Sequence, residues 1–132
     1  MPILNVKVSA TKSPQLGARI ATTLTELTQR VLGKDPKLTA ITLDWVDPGD
    51  WFIAGQSLAE RGLSSFCLDI KVTDETNTKA EKQAYIEGVF AAFETILGEL
   101  HEESYVHVHD VRAAAYGYGG KTQEHRHQHP GS

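Results

Sequence analysis

Leu4-Asn5-Val6-Lys7-Val8-Ser9 returns later in the chain as Leu68-Asp69-Ile70-Lys71-Val72-Thr73, and this recurrence decides the fold. Both stretches alternate apolar and polar residues, the two-residue period of a strand that buries one face. Outward from them the correspondence holds at an offset of about 64 to 65 residues. Leu32-Gly33 matches Leu97-Gly98, and Ile41, Leu43 and Val46 match Val106, Val108 and Val111 at equal spacing. Trp51-Phe52-Ile53-Ala54-Gly55 matches Tyr116-Gly117-Tyr118-Gly119-Gly120. Solenoid repeats run about 20–50 residues, so this period is too long for one. It predicts a duplicated supersecondary unit folded into one domain.

Each copy reads strand, helix, strand, short hairpin. In the first helix Leu16, Ile20, Leu24, Leu27 and Val31 fall on one face at the helical period. Ser13 suits the N-cap, Pro14 the first helical position and Gly33 the stop. The second helix places Ile86, Val89, Phe90, Phe93 and Leu97 on one face, opens with a Thr78/Glu81 capping box and ends at Gly98. Strand, helix, strand implies a right-handed crossover and a parallel pair. Two units side by side predict an α+β fold, a four-stranded sheet with both helices on one face. The Leu/Ile/Val content of the strands suggests that another subunit covers part of the other face.

The boundaries follow the same pattern. Repeat one spans about 2–55, with a turn at Asp47-Pro48-Gly49-Asp50; a largely polar linker spans 56–65; repeat two spans about 66–120. A polar tail fills 121–132, expected to be solvated and mobile from Glu124 onward. There His125, His127 and His129 would share one face of an extended strand, but no Cys or carboxylate motif accompanies them and no metal site is expected.

Bulk properties exclude several classes. At 132 residues, one domain buries about two-thirds of its unfolded surface. A net charge of −4 without a basic cluster argues against nucleic acid as a partner. No apolar run approaches the length of a membrane span, and the N-terminus lacks a signal-peptide pattern. The single Cys67 reads as a small core residue in a reducing compartment, so a cytoplasmic location is expected.

Pro2 carries the functional signal. It follows Met1 and opens the first strand, and a small second residue favours removal of the initiator methionine. The mature chain would then begin with a secondary amine on a rigid strand, a general base that needs no side chain.

An N-terminal proline heading a duplicated β-α-β unit resembles the tautomerase superfamily over residues 2–120. The chain looks like two short 4-oxalocrotonate tautomerase units fused into one, and its doubled form is similar to the macrophage migration inhibitory factor family. The resemblance implies a cofactor-independent isomerase, a homotrimer, and a proline pocket at subunit boundaries. The family's arginine before the first helix corresponds to Lys12, and its second arginine to Ala40. Its aromatic residue before the glycine turn corresponds to Trp51, repeated as Tyr116. Gly117-Tyr118-Gly119-Gly120 keeps its Gly-x-Gly-Gly hairpin, whereas the first half keeps only Ala54-Gly55. Gly33-Lys34-Asp35-Pro36 is similar to the migration inhibitory factor pattern after the first helix, and Tyr105 and His107 correspond to a tyrosine and an asparagine facing a neighbour's proline. The second copy begins Ser65-Phe66, so one site per chain can use the amine.

Tautomerisation needs a base near a carbon acid, a cation or donor near the developing oxyanion, and walls that exclude water. The expected catalytic residue is Pro2. The expected groups around a small carboxylate substrate are Lys12, Lys34, Trp51, Tyr105, His107, Arg112 and Tyr116. Arg112 offers a planar fork suited to a carboxylate. The expected substrate is an unsaturated 2-oxo or 2-hydroxy acid. Two other readings stand beside this one. Hydration or dehalogenation of an unsaturated acid would call on Asp110 or His107, and a non-enzymatic trimeric binding protein would leave Pro2 inert.

Overall fold

The structure, a computed structural model, describes residues 1–130; residues 131 and 132 of the expected tail lie outside the described residues. The chain opens with β1 (Ile3–Val8), α1 (Pro14–Leu32) and β2 (Ala40–Trp45). A hairpin of β3 (Phe52–Ile53) and β4 (Gln56–Ser57) then leads into the one-turn helix α2 (Leu58–Arg61). The second half repeats the order: β5 (Phe66–Thr73), α3 (Lys79–Leu97), β6 (Tyr105–Val111), β7 (Gly117–Tyr118), β8 (Lys121–Thr122) and α4 (Gln123–Gln128). The main sheet runs β2-β1-β5-β6. β2 is parallel to β1 and β6 to β5, while β1 and β5 meet antiparallel at the centre. This is the α+β architecture that the repeat predicts.

Local chemistry sets the helix ends. Ser13 Oγ accepts the Leu16 N–H at 3.2 Å, and Gly33 closes α1 with a left-handed φ of 69°. At the start of α3, Thr78 Oγ1 accepts the Glu81 N–H while the Glu81 carboxylate accepts the Thr78 N–H at 2.7 Å.

The alternating strands send Leu4, Val6 and Val8 of β1 and Leu68, Ile70 and Val72 of β5 to one face, where Ile20, Leu24, Val89 and Phe93 meet them. Phe66 stacks on Phe93 with ring centroids 4.2 Å apart. The helix α3 departs from the expected register by one position. Tyr85, not Ile86, joins Val89 and Phe93 in the core, and Ile86 is 42% exposed. A buried tyrosine needs a partner for its hydroxyl, and Thr28 of α1 provides one at 2.8 Å. Burial pushes the Tyr85 hydroxyl pKa up to about 12, against the Thr28 hydrogen bond. Tyr85→Phe should therefore cost about 1 kcal/mol in urea unfolding. The double variant Tyr85→Phe/Thr28→Val should recover part of the loss, because it leaves no buried hydroxyl unpaired.

The far face of the sheet carries Asn5, Lys7, Thr42, Asp44, Asp69, Lys71, His107 and His109 beside Ile3, Cys67 and Tyr105. Two sequence expectations are corrected. The segment 56–65 is built structure rather than linker: Leu58 is fully buried, and Ser65 accepts the Ser9 N–H through its carbonyl at 3.1 Å. Its polar composition misled because only one side of so short a helix turns inward. The described part of the tail is also folded, since Thr122 Oγ1 caps α4 through the His125 N–H. His125 and His129 stack one helical turn apart, with centroids 4.3 Å apart, so the three histidines do not line up as in a strand.

The two short helices reveal a repeat that extends past the glycine hairpins. Arg61 Nη2 donates to the Ile53 carbonyl at 3.0 Å, and Arg126 Nη2 donates to the Tyr118 carbonyl at 2.9 Å. Each arginine ties its helix back over its own hairpin. The turn is left-handed in both copies, with φ of 54° at Ala54 and 62° at Gly119.

Candidate active site

Pro2 is buried at the head of β1, where its carbonyl accepts the Ala40 N–H at 2.9 Å. The chain reaches this point from α1 through the left-handed Gly33 and a turn at Pro36–Leu38, which Asp35 caps by accepting the Lys37 N–H at 2.9 Å. The approach from the other repeat follows from topology. Because β5 runs antiparallel to β1 and β6 parallel to β5, β6 finishes at the same end of the sheet where β1 starts, with β5 between them. The hairpin that follows β6 then folds over Pro2. A cavity of about 420 Å³ results, walled by Pro2, Ile3, Lys37, Leu38, Tyr116 and Tyr118.

Several contacts fix these walls. The Tyr116 hydroxyl donates to the Lys71 carbonyl, a long contact at 3.5 Å, and Lys71 pairs with Ile3 across the central strands. The Arg126 guanidinium lies 3.8 Å from the Tyr118 ring centroid while it holds that residue's carbonyl. Gly117 allows the tight return: a Cβ there would stand 1.9 Å from the Lys121 carbonyl oxygen.

The surroundings lower the pKa of the chain's first amine. Burial holds the Met1 ammonium below the usual α-amine range; Asp35 opposes this and Lys34 reinforces it. Lys34 is itself pushed down by burial, against the pull of Glu81 and Asp110, and its Nζ donates to Thr76 Oγ1 at 2.9 Å.

Of the residues expected from the sequence, Pro2 and Tyr116 share this cavity, and Lys34 lies within electrostatic reach of the chain's first amine. Lys12 is exposed on the loop before α1, beyond the far end of β1. Trp51 and Tyr105 line a different cavity, of about 750 Å³, at the opposite end of the central strands. His107 projects from the polar face, with its Nδ1 3.2 Å from Asp69 Oδ1, and His109 Nε2 stands 3.3 Å from the same oxygen. Arg112 is exposed on the turn after β6, where its carbonyl accepts the Ala115 N–H. Lys37, Leu38 and Tyr118 were missed. Tyr118 lies inside the matched glycine hairpin, a signal within reach, whereas nothing local marks Lys37. Among the described residues no group of three metal-ligating side chains gathers, and no helix is long and apolar enough to cross a membrane.

No protein-family model matches the sequence, and no curated protein matches it significantly. Solved structures do. A wild-type fused 4-OT described as an asymmetric trimer superposes with a TM-score of 0.78 at 20% identity, covering 93% of this chain and 97% of that one. Pt0534 inactivated by 2-oxo-3-pentynoate gives 0.80 at 15% identity over the same shares. A macrophage migration inhibitory factor homologue from Prochlorococcus marinus gives 0.74 at 20% identity, covering 91% of this chain and 97% of that one. The chain thus has the tautomerase-superfamily fold in its fused, two-repeat form.

Proposed function

We propose that this protein is a cofactor-independent tautomerase whose base is the Pro2 amine, freed by removal of Met1, acting on an unsaturated 2-oxo or 2-hydroxy acid. The observation that carries this reading is the buried Pro2 at the head of a cavity whose first amine is already depressed by desolvation. Loss of Met1 would place the amine one residue deeper, where the charged form is penalised more. A neutral amine can take the proton from a carbon beside the carbonyl and return it at the far end of the conjugated system. Lys34 stabilises the developing oxyanion electrostatically, Lys37 binds the substrate carboxylate at the cavity wall, and Tyr116 and Tyr118 exclude water. One structural neighbour is inactivated by 2-oxo-3-pentynoate, itself an unsaturated 2-oxo acid, which supports the substrate class.

Hydration or dehalogenation is less well served. Asp110 is held by Lys82 at 2.5 Å and His107 is turned to Asp69, and neither lines the Pro2 cavity. The amine mechanism needs a chain that starts at Pro2, so intact mass should show Met1 removed. Assays with enol and dienoate acids should then show proton transfer without added cofactor. A retained Met1, or silence across the enol series, would leave the inert binding protein as the better account.

We also assign a homotrimer to the working state. Fused 4-OT neighbours are described as symmetric and asymmetric trimers, and the outer edges of β2 and β6 are unpaired within the chain. Trp51, Tyr105 and His107 could then serve a Pro2 site only across a subunit boundary. Light scattering should give about three times the 14.5 kDa chain mass; a monomer at micromolar concentration would contradict the assignment.

A further inference from the structure

The two hairpin-and-helix units are built on one frame. The Leu58 N–H donates to the Trp51 carbonyl and the Gln123 N–H to the Tyr116 carbonyl, both at 2.9 Å. Arg61 and Arg126 then reach back by the same contact, each to a hairpin carbonyl eight residues earlier. Three of the residues that differ between the copies bear on this contact. Ile53 becomes Tyr118, which gives the second guanidinium a ring to lie on, 3.8 Å from its centroid. Ala54 becomes Gly119, where a Cβ would stand 2.7 Å from Arg126 Nη2. Leu58, fully buried, becomes Gln123, and α4 has no buried residue. A leucine anchors the first helix by burial; the second is held by polar contacts and by the arginine on the ring.

The difference matters because of what each hairpin faces within its own chain. Tyr118 lines the Pro2 cavity, on a strand of only two residues. Arg126 fixes it twice, by a hydrogen bond to its carbonyl and by the guanidinium against its ring. The planar fork of arginine can donate from its edge and stack with its face at once, which an ammonium cannot do. All of these contacts lie within one chain.

We propose that Arg126 is a positioning residue of the Pro2 site: it holds the Tyr118 ring in the cavity wall and so makes α4 a working part of that site. The proposal rests on the reading of Pro2 as the base, and it gives the arginine itself no chemistry.

Arg126→Met should lower kcat/KM toward an enol acid about tenfold, mainly through KM, because the ring holds substrate but takes no proton. The acid limb should move to higher pH, since water that reaches the amine favours its charged form. Arg126→Lys keeps a charge over the ring but loses the fork, and should recover part of both effects. In a Tyr118→Ala background Arg126→Met should change neither KM nor the limb further, because the two side chains act as one unit. A nitrogen-15 titration of the N-terminal amine makes the same comparison without substrate. Its midpoint should rise in Arg126→Met and in Tyr118→Ala alike. The two measurements separate two failures: enol assays silent in every chain would sink the Pro2 mechanism, while the titration would still decide the role of Arg126. Should Arg126→Met unfold, Arg126→Lys carries the same test with a smaller shift expected. An unmoved midpoint with an unchanged KM would overturn the proposal, as would losses that add in the double variant.

Discussion

Replacing Pro2 with Ala should lower turnover of an enol or dienoate acid by at least about 10²-fold, the lower bound for a positioned general base. The fold should survive. Pro2 engages the sheet through its carbonyl, which accepts the Ala40 N–H at 2.9 Å, and alanine offers the same carbonyl. Alanine also keeps an amine once Met1 is removed, so the experiment asks whether the rigid secondary amine matters and not merely any nitrogen. The loss should fall on kcat more than on KM, since the base acts in the transition state while Lys37, Tyr116 and Tyr118 still hold the substrate. Near-wild-type turnover in a Met1-free Pro2→Ala protein would remove the amine from the mechanism.

Much of this fold was legible because its signals are local. The Ser13 cap, the Thr78/Glu81 box and the Gly33 stop each depend on residues within one helical turn, and the structure contains all three. The strand alternation likewise separates core from surface on β1 and β5. What escaped depends on pairing between distant segments. Tyr85 displaced Ile86 from the core because Thr28, on another helix, pairs with its hydroxyl. Similarly, the antiparallel meeting of β1 and β5 brings Tyr116 over Pro2 and sends Trp51 to the opposite end. Within either repeat the two aromatic residues look equivalent. Only the register between repeats distinguishes them, and no local pattern encodes it. The resemblance assigned Lys12 by its position before the first helix, and the chain direction carries that position away from Pro2.

The second large effect should come from Lys34. It is half-buried and within electrostatic reach of the first amine, whose charged form it disfavours. A donor aimed at a developing oxyanion in a dry site contributes about 2.7–4 kcal/mol. Partial exposure and the competing carboxylates of Glu81 and Asp110 weaken such a contact. Lys34→Ala should therefore cost about 2 kcal/mol of transition-state stabilisation, roughly 30-fold in kcat/KM. It should also move the pH profile in a definite direction. Activity needs the neutral amine, so the acid limb follows the amine pKa. Removing a neighbouring cation raises that pKa, and the limb should shift to higher pH. Asp35→Asn should shift it to lower pH, because Asp35 favours the charged amine. Lys34→Arg should restore the limb, since it returns the charge. Lys12→Ala and Arg112→Ala, measured beside these, should move neither rate nor limb if the cavity is complete within one chain. A shift in either of them with none in Lys34→Ala would place the polarising cation across a subunit boundary, and the site would have to be rebuilt from neighbouring chains.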